Sequence, residues 1–223
     1  MRRKKLIGGL FVVGGVGIAG YLLTRPHRTD LITDVRIQAA EFSNHGKNPI
    51  KNIDTIVLHQ MAVADSDQVG WERWKKLEIH WVITEGPNAR AYLLNDLDDK
   101  VWHGHGWNNR SVGFEIEGNF PGRIGKPTWD KKAPTPLTEH QVEAAQQAIR
   151  YTVQGIKNLG GRIYYIGAHR QSYANKPNDP GEEIWKQIAI PMMKELKLLT
   201  APTLPGGSSI PQDWDPIQAG VKY

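Results

Sequence analysis

Six short runs rich in β-branched and aromatic residues, separated by polar or glycine-containing stretches, commit this chain to a sheet. They fall at 53–60 (IDTIVLHQ), 79–84 (IHWVIT), 89–94 (ARAYLL), 101–103 (VWH), 111–118 (SVGFEIEG) and 162–167 (RIYYIG). The second and third flank Glu85-Gly86-Pro87-Asn88, which predicts a hairpin. Alternation along the fifth puts Val112, Phe114 and Ile116 on one face and Gly113, Glu115 and Glu117 on the other. Helical signals are fewer. Thr138 with Gln141 three residues on forms a capping box, and Val142, Ala145, Ile149, Val153 and Ile156 continue it as an apolar stripe that ends at Gly160-Gly161. Residues 70–78 predict a short helix with Trp71, Trp74 and Leu77 on one side, and another helix starts near Pro180 and ends or kinks at Pro191. The expected fold is α/β (α+β), a central mixed β-sheet flanked by helices.

The ends of the chain differ in character from its middle. Arg2, Arg3, Lys4 and Lys5 precede eighteen uncharged residues, 6–23, just enough to cross a bilayer as a helix. The basic flank would stay cytoplasmic and send everything after Arg25 across the membrane, to the periplasmic or outer side. Gly17 and Ala19 offer a small-x-small site for the rival reading, a cleaved signal peptide. The expected organisation is an anchor over 1–25, a polar tether over 26–50, a folded domain over 51–198 and an extended Pro/Gly-rich tail over 199–223. Those four basic residues also explain the charge. The net is +5 from 28 basic and 23 acidic residues; without the four it is 24 against 23, or +1, which gives no footprint for nucleic acid.

No cysteine is present, so disulfides are excluded and any metal must be held by His, Asp or Glu. His169 follows the 162–167 strand and Asp179 lies ten residues on, across a polar loop, where Pro180 opens the next helix. Ligands on rigid elements either side of a loop suit zinc. His59 closes a buried strand before a polar loop, a place where such sheets expose their chemistry; the alternative for any such residue is a hydrogen-bonded strand-end histidine. Glu115 and Glu117 share a strand face, and spacing alone does not separate them.

The motifs TIVLH (55–59), IHWVI (79–83), VWHG (101–104), SVGFEIEG (111–118) and GAHR…DPG (167–181) resemble, in order and spacing, the zinc-dependent N-acetylmuramoyl-L-alanine amidase family, whose fold is shared by phage T7-type lysozyme and the peptidoglycan recognition proteins. The resemblance covers roughly residues 50–190. It implies that His59, His169 and Asp179 bind Zn2+, leaving a fourth position for water, and that Glu115, which directly follows the Gly-aromatic pair, moves the proton. Relatives carry a basic residue two positions before the last ligand to stabilise the oxyanion. Here that position is Pro177, and the lysine stands one earlier, at Lys176. Trp102 and His103 match a pair beside the binding groove and are expected to face substrate, with His105, Trp107 and Asn108 on the same rim; His80, at the start of a central strand, is expected either to face substrate or support the ligands, or to be structural. The implied function is hydrolysis of the bond between N-acetylmuramic acid and L-alanine in peptidoglycan, by an endolysin-like or wall-remodelling enzyme acting as a monomeric catalytic domain. The alternatives are a non-catalytic peptidoglycan-binding module and a zinc peptidase acting on the stem.

Overall fold

The computed structural model describes residues 30–39, 45–62, 71–128 and 131–215. The strands are β1 (Ile32–Asp34), β2 (Thr55–Gln60), β3 (Trp81–Ile83), β4 (Ala91–Leu93), β5 (Ser111–Ile116), β6 (Tyr165–Ala168) and β7 (Leu199–Thr200). They form one sheet in the order β1-β4-β3-β5-β2-β6-β7. Only the β3/β4 hairpin is antiparallel, and its turn places Gly86 at a φ of 92°, which glycine adopts without strain. The other pairs are parallel, so the sheet is mixed, as expected.

The long helix, α2 (Glu139–Asn158), starts at the Thr138/Gln141 capping box, with both reciprocal bonds formed. Its Ala144, Ala145, Ala148, Ile149 and Ile156 are buried with Ile56, Leu58, Val112, Phe114, Ile116, Ile166 and Ala168. These are alternate residues of β2, β5 and β6, so one face of the central strands is the main core. The opposite face is free to carry Val57, His59, Gly113 and Glu115. A second helical segment runs from α3 (Glu182–Ile184) through a π-helical stretch (Trp185–Ala189) into α4 (Ile190–Leu196), packing Trp185, Ile188 and Met193 into the same core. The early four-residue helix α1 (Arg36–Ala39) follows β1.

Several boundaries differ from expectation. The 26–50 stretch is not only a tether, because β1 pairs in parallel with β4 and completes one edge of the sheet. Over 70–78 the described residues form only a 3-10 turn, Trp71–Trp74, since so short a segment makes too few hydrogen bonds to sustain an α-helix. The largest departure is at the C-terminal end. Residues 199–215 are folded in place rather than extended as a tail: β7 pairs with β6, Thr200 Oγ1 donates to Asp215 Oδ2 (2.6 Å), and Ile210 and Trp214 enter the core. Trp214 is 0% exposed and lies under the Arg170 guanidinium, 5.1 Å from its ring centre. Trp214→Ala is therefore expected to destabilise the protein by about 3–5 kcal/mol, the usual range for a buried aromatic. Urea unfolding checks this; an unchanged midpoint would return the segment to the status of a tail.

The 6–23 segment lies outside the described residues. Among the described residues no helix is long and apolar enough to cross a membrane.

Candidate metal centre and active site

Register assembles the site. His59 and Glu115 are opposite each other in the parallel β2/β5 pair, and Leu58 is opposite Ala168, which sets His169 beside His59. All three stand on the face away from α2, at the C-terminal ends of their strands, where parallel sheets place chemistry. Asp179 returns from the 169–179 loop. Its Oδ1 accepts from the Gln60 N–H (3.0 Å), and its backbone carbonyl accepts from the Arg170 N–H (2.8 Å). Gln60 also exchanges side-chain hydrogen bonds with the Phe120 backbone, so the strand end and the loop are fixed together.

The donor atoms converge. His59 Nδ1 and His169 Nδ1 are 3.0 Å apart, His169 Nδ1 is 2.9 Å from Asp179 Oδ2, and His59 Nδ1 is 3.8 Å from Asp179 Oδ1. Around a tetrahedral zinc with bonds of 2.0–2.1 Å, donors stand roughly 3.3 Å apart. Each separation is close to that value, the two to Asp179 running to different carboxylate oxygens, and the nitrogen and oxygen donors suit such an ion. A second acidic group, Asp96, Asp98 and Asp99, is filled by the Lys47 ammonium at 2.9, 2.8 and 2.8 Å.

Burial pushes His59 down to about 4 despite its carboxylate neighbour, so its ring is neutral and able to ligate. Burial would raise Asp179, but the hydrogen bond with His169 at 2.9 Å and the His59 ring close by outweigh it and hold the carboxyl below its ordinary range. Glu115 moves the other way. Burial, then the nearby Asp179 charge, push it well above the ordinary carboxylate value, with Lys176 opposing. Its side chain is 19% exposed, its Oε1 is 3.9 Å from His59 Nδ1, and its Oε2 is buried without a hydrogen-bond partner. Glu117 differs: Arg73 pairs with it at 3.0 Å and the Glu85 N–H donates to it at 3.1 Å. The structure thus separates two carboxylates that spacing alone left equivalent. Lys176 is exposed on the 169–179 loop and lines a cleft with Gln60, Met61, Ala62, Asn178 and Asp179.

The three residues expected near the groove part company. Trp102 is 63% exposed and stacks on His45 with ring centres 4.7 Å apart. His80 is 0% exposed; its Nε2–H donates to the Asp99 carbonyl and its Nδ1 accepts from the Gly113 N–H, both at 3.0 Å. With both nitrogens committed to backbone, His80 braces β5 and has no face for substrate. His103 is buried behind His59 rather than in a groove, with its Nδ1 3.0 Å from His59 Nε2. Residues 101–103 do not form the expected strand, because Asn108 Oδ1 accepts from the N–H groups of His103 (3.1 Å) and Gly104 (2.7 Å) and draws the chain into the 3-10 turn His105–Trp107. Within that turn Trp107 is buried rather than on a rim, whereas His105 is exposed.

A protein-family model described as N-acetylmuramoyl-L-alanine amidase matches residues 49–182. No curated protein matches in sequence. Among solved structures, bumblebee PGRP-SA is similar at a TM-score of 0.50 and 18% identity, covering 77% of this chain and 98% of that one. Drosophila peptidoglycan recognition protein SD is similar at 0.50 and 17%, covering 78% and 98%. The N-acetylmuramoyl-L-alanine amidase LysC from Clostridium intestinale URNW gives 0.49 and 16%, covering 75% and 98%. Likeness at these identities is likeness of fold.

Proposed function

The chain belongs to the N-acetylmuramoyl-L-alanine amidase family, and from that premise we propose that it hydrolyses the amide joining the lactyl group of N-acetylmuramic acid to L-alanine in peptidoglycan. The observation that carries the proposal is the convergence of His59, His169 and Asp179 with an unpartnered, destabilised carboxylate at Glu115.

His59 and His169 through Nδ1, and Asp179 through its carboxylate, would hold a zinc ion. When bound, that ion supplies a Lewis acid that polarises the scissile carbonyl and acidifies water. Glu115 takes the proton of the attacking water and gives it to the departing alanine nitrogen as the C–N bond breaks. Its raised affinity for a proton suits both steps near neutral pH. Lys176, which lines the cleft, stabilises the negative charge that develops on the carbonyl oxygen as water adds to the carbon. Trp102 offers an exposed indole for stacking a sugar or peptide plane.

Digesting purified peptidoglycan with the full-length protein tests the reading. New L-alanine amino termini on released stems are expected. Other new amines would make the protein a stem peptidase, and binding without any new terminus would make it a recognition module.

We also propose that residues 6–23 anchor the enzyme with residues 25–223 outside the cytoplasm, where peptidoglycan lies. A C-terminally tagged chain should resist carbonate extraction and be open to protease from the outer side. Full-length protein in the soluble cytosol would rule the anchor out, and a shortened soluble form beyond the membrane would mean cleavage.

A further inference from the structure

His59 would ligate through its inward Nδ1, which requires its ring proton to sit on the outward Nε2. What holds it there is legible in the hydrogen bonds behind the site. Ser111 has a single hydroxyl proton. The Trp107 carbonyl can only accept, and at 2.8 Å it takes that proton. Ser111 Oγ therefore presents a lone pair to His103 Nε2 (3.0 Å), which must donate. His103 Nδ1 is then bare, and it faces His59 Nε2 at 3.0 Å. His59 must donate in turn, which leaves its Nδ1 lone pair free and pointing at His169 and Asp179. The direction of every bond follows from the one group in the chain that has no choice, a backbone carbonyl.

The other histidine lies against the same segment. His169 Nε2 is 3.2 Å from His105 Nδ1, and the His105 ring stacks on Tyr173 at 4.2 Å between centres. His105 lies in the left-handed region, φ 52°, an uncommon conformation for a residue with a side chain. Gly113 makes room for the arrangement: a Cβ there would stand 2.5 Å from His103 Nδ1.

We propose that the 103–107 turn is a tautomer-setting element for the first ligand, in which His103, anchored through Ser111 to the Trp107 carbonyl, holds the outward nitrogen of His59 so that its inward nitrogen is bare for a metal. His103 is a positioning residue rather than a ligand or catalyst. The inference rests on the proposed zinc site, but its first readout needs neither metal nor substrate.

Two-bond 1H–15N correlation on the metal-free, full-length protein should show His59 and His103 as Nε2–H tautomers. His103→Leu should release His59 from that state and weaken zinc binding, read by chelator competition, by roughly 10–100-fold, the range for outer-shell partners. His103→Asn keeps an acceptor near the Nδ1 position and should recover most of the affinity, which a purely space-filling role would not predict. If His59 is an Nδ1–H tautomer in the wild type, or if Leu and Asn at position 103 bind zinc equally well, the proposal is wrong. Correct tautomers and tight zinc binding without peptidoglycan hydrolysis would instead sink the proposed function and leave this inference standing.

Discussion

Glu115→Gln is expected to lower turnover on peptidoglycan by about 10²–10⁴-fold, the usual contribution of a general base, while zinc affinity and fold stay close to wild type. The substitution keeps shape and volume, and no structural hydrogen bond is lost with Oε2, which has no partner. It also removes a destabilised buried carboxylate, so stability should hold or rise. Glu117→Gln supplies the contrast. That residue pairs with Arg73 at 3.0 Å in a largely buried setting, and losing its charge should cost on the order of a few kcal/mol in stability with little effect on turnover. Steady-state kinetics and urea unfolding on the two variants decide the matter. If Glu117→Gln loses turnover and Glu115→Gln does not, the proton-transfer role moves two residues along the strand.

The largest effect is expected at the ligands. Asp179→Asn preserves an oxygen for the Gln60 N–H but gives up the charge that offsets a divalent cation. Zinc affinity should fall by more than the roughly 10–100-fold seen when only an outer-shell partner is lost, and hydrolysis should fall to background. Zinc should raise the wild-type unfolding temperature, since a ligand at a thousand times its Kd stabilises by about 4 kcal/mol. The variant should show almost no such rise. Chelation should abolish wild-type activity, and added zinc should restore it. Full activity in a preparation proven free of metal by elemental analysis would overturn the mechanism.

Much of this architecture is visible before any coordinates. Period-two alternation in 111–118 places Glu115 opposite the core, and the Thr138/Gln141 pair marks the start of α2 to the residue. Strand-end histidines are readable because β2 and β6 are buried, strongly patterned strands. What stays hidden depends on partners distant in sequence. Spacing does not distinguish Glu117 from Glu115, although the Gly-aromatic pair before Glu115 favours it; the structural difference is Arg73, which only the tertiary fold brings to Glu117. His103 looks like a groove residue beside an exposed tryptophan, and only the Asn108-bonded turn and the space above Gly113 fold it inward. Residues 199–215 contain few large apolar side chains, so their packing could not be read from pattern; two of those few, Ile210 and Trp214, hold the segment in the core.

That C-terminal segment also braces the candidate site from outside the ligand set. The carbonyls of Gln171 and Arg170 accept from the Leu204 N–H (2.8 Å) and the Ser208 N–H (2.7 Å), and the Ala174 N–H donates to Gly206 (2.8 Å). Leu204 also closes over Gly106 in the turn behind the ligands, where a Cβ would meet it at 2.7 Å. The loop bearing two ligands and the turn supporting them are thus clamped by chain made after both. Residues 204–208 hold in place a loop whose own hydrogen bonds would leave it open to solvent on that side. The proposed metal site is therefore braced by residues that supply none of its ligands, and a change at 204–208 should reach it through the loop that carries His169 and Asp179.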